Sequence, residues 1–404
     1  MKNIPLFLLL TFSLLISCSK DLESTTDEFS FILAADWRDK ATEKYNSNEY
    51  FLGALNAIEK VGKGSFMISP GDLEPASSSA NLIAKILGKD YPWYPIVGNH
   101  ELEDPQTMVF LRELNKNGNS LPNIVKIGPA GCEETTYSFD YGDFHFVVLN
   151  EYFDGKSDTG TDGNVVDVLL SWLEDDLSET TKKHIIVAGH EPIISIPDLN
   201  NGRQRHVGDA LDQYPKQSFK FHQLMMKYDV LAYLHGHTHS TSYTKINGLW
   251  QIDCGHARGV EILYPGLAYE TIKSAVIENK DNTKSIEDII STIYTPDTYR
   301  HKKLLYYMNL TNMISYKKIN NSQGFEILKK FYKKADSLID KEREEYFSTF
   351  WDNINPTRST FMKFRVSKEK VLIDIYRNDA KGGDYSLTKT VSLNLLKNVP
   401  VPSF

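Results

Sequence analysis

Cysteine is scarce in this 404-residue chain, three in all, and basic runs, internal repeats and low-complexity tracts beyond a short polar stretch near the N-terminus are missing. Without a basic run, and with a formal net charge of −8, the chain has no electrostatic footing for wrapping DNA or RNA. Small phosphorylated molecules stay within its reach. A stretch of bilayer length is also lacking at the N-terminus, where the apolar run from Ile4 to Ile16 is shorter than the roughly 20 residues a spanning helix needs. What is present is the composition of a globular protein. It is 41% hydrophobic and 12% aromatic, enough for one large or two medium domains with a sizeable core.

Lys2 followed by that apolar run reads as a signal peptide over residues 1–17. Its end, Leu15-Ile16-Ser17-Cys18, resembles the lipobox of bacterial lipoproteins, in which the cysteine is acylated and becomes the mature N-terminus. Residues 18–28, polar and acidic, then form a tether between a membrane and the folded domain. The resemblance implies a lipid-anchored protein outside the cytoplasm, facing the periplasm or the cell surface. In such an oxidising compartment Cys132 and Cys254 could pair in only one way, or stand as two separate buried thiols. Both readings remain open from sequence.

Further along, short apolar runs alternate with helical patterns. FSFILAAD (29–36), SFMISPGD (65–72), YPIVGNHE (94–101), HIIVAGHE (184–191) and VLAYLHGHTH (230–239) each read as a buried strand ending in a polar cluster. Amphipathic stretches such as EYFLGALNAIEKV, QTMVFLRELNKN, VVDVLLSWLEDDL and SFKFHQLMMKY lie between them, so the fold class is α/β. Thr135 to Phe153 is aromatic and broken at Tyr141-Gly142-Asp143, a hairpin signal, so the sheet is not purely parallel. Residues 261–357 read as a helical insertion or cap, with Phe325, Leu328, Phe331, Ala335 and Leu338 at helical spacing. From 358 to 404 strict alternation, as in Met362, Phe364 and Val366, predicts a terminal antiparallel meander. It either packs back onto the main domain, at 29–260, or forms an appendage.

The polar clusters carry the chemistry. Asp36, Asp72, Asn99, His100, His190, His237 and His239 all follow apolar strands, at the edge where open α/β sheets bind ligands. His237 and His239, two apart on a strand end, would point to the same side. Carboxylates, one amide and several imidazoles form the mixed donor list that holds two first-row transition ions. Such a pair supports in-line phosphoryl displacement, so hydrolysis of a phosphate ester is the natural reaction.

ADWRD, PGDLE, GNHE, GH and GHTH, in this order, resemble the calcineurin-like metallophosphoesterase superfamily. The resemblance implies a four-layer α/β/β/α sandwich and two metal ions, manganese, iron, zinc or nickel. Asp36 and His239 would bind the first metal, Asp72 would bridge, and Asn99, His190 and His237 would bind the second. His100 would stabilise the phosphate and protonate the leaving oxygen. Gly71, Gly98, Gly189 and Gly236 would let the chain turn sharply beside the ions.

One departure matters. The family's first motif is usually Asp-x-His, but the third position here is Arg38, which has no lone pair for a metal. Arg38 would either contact substrate phosphate or point outward to pair with Asp39. Purple acid phosphatases also lack that histidine but use a tyrosine three residues after the bridging aspartate, where this chain has Pro75. An iron–tyrosinate site is therefore not expected. In the loop after GHEP, Arg203, Arg205 and His206 are candidate phosphate contacts. Two readings follow: a lipid-anchored phosphoesterase acting on small phosphomonoesters or phosphodiesters, and a non-catalytic metal-binding lipoprotein with a degenerate first site.

Overall fold

The structure is a computed structural model, which describes residues 28–196, 198, 210–259, 357–379 and 382–395. The signal peptide, Cys18, the tether up to residue 27, Arg203, Arg205, His206 and the expected helical insertion up to residue 356 lie outside the described residues. Each short apolar run is rich in β-branched or aromatic residues and soon meets a polar turn, which favours a strand over a helix. β1 (Phe29–Leu33), β2 (Met67–Ser69) and β3 (Trp93–Pro95) accordingly lie parallel in one sheet. In the second sheet β6 (Phe144–Val148), β7 (His184–Ala188), β8 (Ala232–His235) and β10 (Leu249–Cys254) are parallel. Its edges are antiparallel: β4 (Ile124–Ile127) and β5 (Tyr137–Tyr141) on one side, β9 (Thr241–Ile246) on the other. The expected hairpin is present, with Tyr141 opposite Phe144 and Gly142 in the left-handed region at φ 56°.

The terminal meander belongs to the main domain. β11 (Thr360–Val366) pairs antiparallel with β1, and β12 (Lys370–Asn378) and β13 (Tyr385–Asn394) follow, giving the sheet order β13-β12-β11-β1-β2-β3. Its alternation is explained by a single buried face: Met362, Phe364, Val371, Ile373 and Leu393 all enter the core between the two sheets.

α1 (Phe51–Val61), α2 (Ala76–Leu87) and α3 (Pro105–Leu114) cover the outer face of the first sheet, and α4 (Asp167–Glu179) and α5 (Pro215–Lys227) cover that of the second. β1 shows how the layers form. Phe31 and Leu33 point between the sheets, while Ile32 points out to Phe51, Leu55 and Ile58 of α1. The result is the expected α/β/β/α sandwich. Cys132 lies in the core under α4 and Cys254 between the sheets, both buried and free, so they are two separate thiols. No helix among the described residues is long and apolar enough to cross a membrane.

Candidate metal centre

The carboxyl ends of β1, β2, β3, β7 and β8 meet at one edge of the sandwich, and each is followed within a few residues by a candidate donor. Asp36, Asp72, His237 and His239 have left-handed backbones, with φ of 58°, 57°, 69° and 56°. Non-glycine residues seldom adopt that region, and clusters of them mark functional sites. The backbone also corrects one expectation. β8 ends at His235, so His237 and His239 sit in the following loop rather than on a strand, and their rings serve different ends of the cluster.

At one end four donor atoms converge. His190 Nε2 lies 3.2 Å from Asn99 Oδ1, 3.4 Å from Asp72 Oδ1 and 3.1 Å from His237 Nδ1, which is itself 3.1 Å from Asn99 Oδ1. His190 Nδ1 donates its proton to the Pro70 carbonyl at 2.6 Å, leaving a lone pair on Nε2. That lone pair faces two oxygens that also carry lone pairs, an arrangement that a bound cation would relieve. The donor set therefore fits a first-row transition ion. The Asp36 and Asp72 carboxylates each bring an oxygen to within 4.8 Å of a His190 nitrogen and of one another, so the two ends form one cluster.

The other end is poorer. Asp36 Oδ1 is 3.5 Å from His239 Nε2, and the Asp36 carboxylate accepts from the His237 backbone N–H. Arg38 turns to Glu74, with Nε 2.8 Å from Oε1, and reaches within 3.9 Å of Glu103. It does not pair with Asp39, which lies beside Lys40 at 3.7 Å. Arg38 also has a left-handed backbone, at φ 46°, and its side chain lies against the loop after β2. Beyond His239, Arg258 places Nη2 3.0 Å from Nδ1.

His100 stands beside the cluster, against Asp72 and Glu103. Its Nδ1 meets Glu103 Oε2 at 3.0 Å, and its Nε2 stands 3.8 Å from Asp72 Oδ2. Its backbone N–H donates to Asp72 Oδ1 at 3.1 Å.

Several supporting residues escaped the sequence reading. Glu101, fully buried, accepts from the backbone N–H groups of Asp72, Leu73 and Gly98 at 2.8, 2.6 and 2.6 Å, so one carboxylate ties the loops after β2 and β3. Burial, with the charges of Asp72 and Glu74, pushes its pKa well above the carboxylate range, against the pull of the N–H donors. Glu151 does the same on the second sheet, accepting from the backbone of His190 and Glu191 at 2.9 and 2.7 Å and from the Tyr233 hydroxyl. Burial raises it to about 7. Asp253 fixes the middle of the histidine loop, accepting from Thr238 Oγ1 at 2.5 Å and from Gly255 N at 2.8 Å. For the two glutamates the available signal was a carboxylate in the turn that follows an apolar run, in GNHE and in VVLNE. Gly236 is required by close approach, since a Cβ there would lie 2.2 Å from Asp36 Oδ2.

Residues 30–241 match the family model described as calcineurin-like phosphoesterase. The chain is 21% identical to tartrate-resistant acid phosphatase type 5 of Oryctolagus cuniculus over 264 residues, 60% of this chain and 76% of that protein. To the protein of the same name from Rattus norvegicus it is 26% identical over 206 residues, 48% of this chain and 54% of that one. A solved structure of PhoD aligns over 92% of this chain and 71% of its own, at 12% identity and a TM-score of 0.49. The family match spans more than half of the chain and contains every donor from Asp36 to His239. The chain belongs to the calcineurin-like phosphoesterase family, whose chemistry is metal-dependent hydrolysis of phosphate esters.

Proposed function

We propose that this protein hydrolyses small phosphomonoesters or phosphodiesters at an asymmetric two-metal centre, displayed outside the cytoplasm on a lipid anchor at Cys18. The observation that carries the reading is the convergence of Asp72, Asn99, His190 and His237 donor atoms at 3.1–3.4 Å. Asp72, Asn99, His190 and His237 would hold one ion tightly, and Asp36, Asp72 and His239 a second, more weakly. Bound ions supply Lewis acidity and positive charge beside the phosphoryl oxygens.

The chain's own residues do the rest. Glu103 accepts from His100 Nδ1, which turns Nε2 toward the centre, where the ring in its protonated form gives a proton to the leaving oxygen. Arg38, held by Glu74, presents a guanidinium at the rim, suited to two phosphate oxygens at once. Asp72 would be shared by the two ends, and a phosphate oriented by Arg38 would lie between the donor set and the His100 ring. Arg203 and Arg205 would add phosphate contacts from the loop after β7. Nucleotides and phospholipid-derived headgroups are the substrate classes an anchored enzyme of this kind would meet.

The test is hydrolysis of nitrophenyl mono- and diesters by protein stripped of metal and reloaded with manganese, zinc, iron or nickel. Metal-dependent turnover that is lost in His100→Asn supports the enzyme. Arg38, standing where a ligand is expected, favours the second reading of a non-catalytic metal-binding lipoprotein. That reading gains if metal binds stoichiometrically and no ester turns over. Radiolabelled palmitate incorporation that disappears in Cys18→Ala checks the anchor.

A further inference from the structure

We infer that Arg258 controls occupancy of the first metal position by holding His239 in the ring form that cannot ligate. The inference rests on the metal centre proposed above and deepens it. A histidine that binds metal through one ring nitrogen normally presents the N–H of the other to an acceptor. His190 obeys, with Nδ1 against the Pro70 carbonyl at 2.6 Å. His239 does the opposite. Its Nδ1 lies 3.0 Å from Arg258 Nη2, and a guanidinium can only donate. Nδ1 is therefore the acceptor, and in the neutral ring the proton sits on Nε2, aimed at Asp36 Oδ1 3.5 Å away.

In that form Nε2 has no lone pair to give. The first position is reduced to the Asp36 and Asp72 carboxylates, because Arg38 replaces the other histidine and is turned to Glu74. For Nε2 to ligate, the proton must move to Nδ1, where it would face the guanidinium donor to donor, so Arg258 has to withdraw. Metal entry and the Arg258–His239 contact exclude each other. The loop that delivers Arg258 is well fixed: Ala257 N donates to the Ala35 carbonyl at 2.9 Å, and Thr360 N donates to the His256 carbonyl at 2.7 Å. The contact is thus built between β1 and β11.

The experiment is isothermal titration of the metal-stripped full chain with manganese, alongside Arg258→Ala and Arg258→Met, with nitrogen-15 NMR of His239. The wild type should show one tight and one weak site, and both variants should tighten the weak site by roughly 10- to 100-fold, the usual scale for the shell behind a metal ligand. The tight site, unchanged, reports that the variants are folded. The His239 proton should sit on Nε2 while only the tight site is filled and move to Nδ1 as the weak site fills. Two equal sites in the wild type, an unaltered weak site in both variants, or a proton on Nδ1 from the start would each overturn the inference while leaving the hydrolase standing. Absence of any stoichiometric binding would remove the metal centre and the inference together.

Discussion

Glu101→Gln replaces one oxygen of a buried carboxylate that accepts three backbone N–H groups, and its effect can be worked from the geometry. Oε2 accepts from Asp72 and Gly98, and Oε1 from Leu73. An amide oxygen can take over the Oε2 role, which leaves an NH2 group facing the Leu73 N–H. One charge-assisted hydrogen bond, about 1.5–3 kcal/mol, is lost, and a buried donor loses its partner at a further cost of about 1–3 kcal/mol. Opposing this, glutamine removes a charge that burial and the Asp72 and Glu74 carboxylates disfavour. The net expectation is about 2 kcal/mol of destabilisation, a fall in melting temperature of about 4–8 °C. Glu101→Ala, which strands all three donors, should fall further. Differential scanning calorimetry in chelator, followed by titration with manganese, reads both stability and the tie to Asp72. A glutamine variant as stable as the wild type, with unchanged metal affinity, would refute the claim that this carboxylate holds the two loops.

His145 lies between Asp176 and Asp140 at 2.9 and 2.8 Å; burial disfavours its cation, but the two carboxylates outweigh it and raise its pKa. Its contribution to stability should be complete below the ordinary histidine pKa and lost as pH climbs through the raised value. Urea midpoints of wild type and His145→Gln should therefore converge from pH 6 to pH 9, and a constant gap would contradict this. Gly236→Ala should push Asp36 out of place, since the added Cβ meets Oδ2 at 2.2 Å; turnover should drop on the order of 100-fold with circular dichroism unchanged. Arg377, 4% exposed, pairs with the fully buried Asp198 at 3.1 Å. Arg377→Met should lower unfolding free energy by about 3–5 kcal/mol, and adding Asp198→Asn should recover part of it.

Much of the fold was legible because its strands and helices obey simple periods. The meander from Thr360 to Asn394 is visible as alternation because only one face, that of Met362 and Phe364, meets the core between the sheets. Its place in the sheet was not legible, since antiparallel pairing of β11 with β1 joins residues more than three hundred positions apart. α2 is hard to read in the sequence because its first turn, Ala76-Ser77-Ser78-Ser79, has the composition of a loop. Here Trp37 Nε1 donates to Ser79 Oγ, which donates to the Leu73 carbonyl, so the serine works in the packing. Among the candidate site residues, Asp72, Asn99, His190 and His237, which the fold brings together, were readable from their spacing after strands. Glu101, Glu151 and Arg258 were not, because their roles depend on which N–H or ring nitrogen each meets in space.

The backbone of the cluster is as informative as its side chains. Asp36, Arg38, Asp72, His237 and His239 all hold left-handed backbones, each costing on the order of 1 kcal/mol or more for a non-glycine residue. Such conformations persist only where neighbours over-determine them, and here the neighbours are known. Glu101 clamps the Asp72 loop, Asp253 clamps Thr238, and the Asp36 carboxylate accepts from His237 N. The same rigidity that brings four side-chain atoms to one point leaves the Asp36–His239 end little freedom to rearrange. With Arg38 drawn to Glu74 and Arg258 seated on His239, positive charge reaches the first position from side chains rather than from an added lone-pair donor. On the two-metal reading proposed above, such a centre is asymmetric by construction, with one end preorganised for a cation and the other poorer in lone-pair donors.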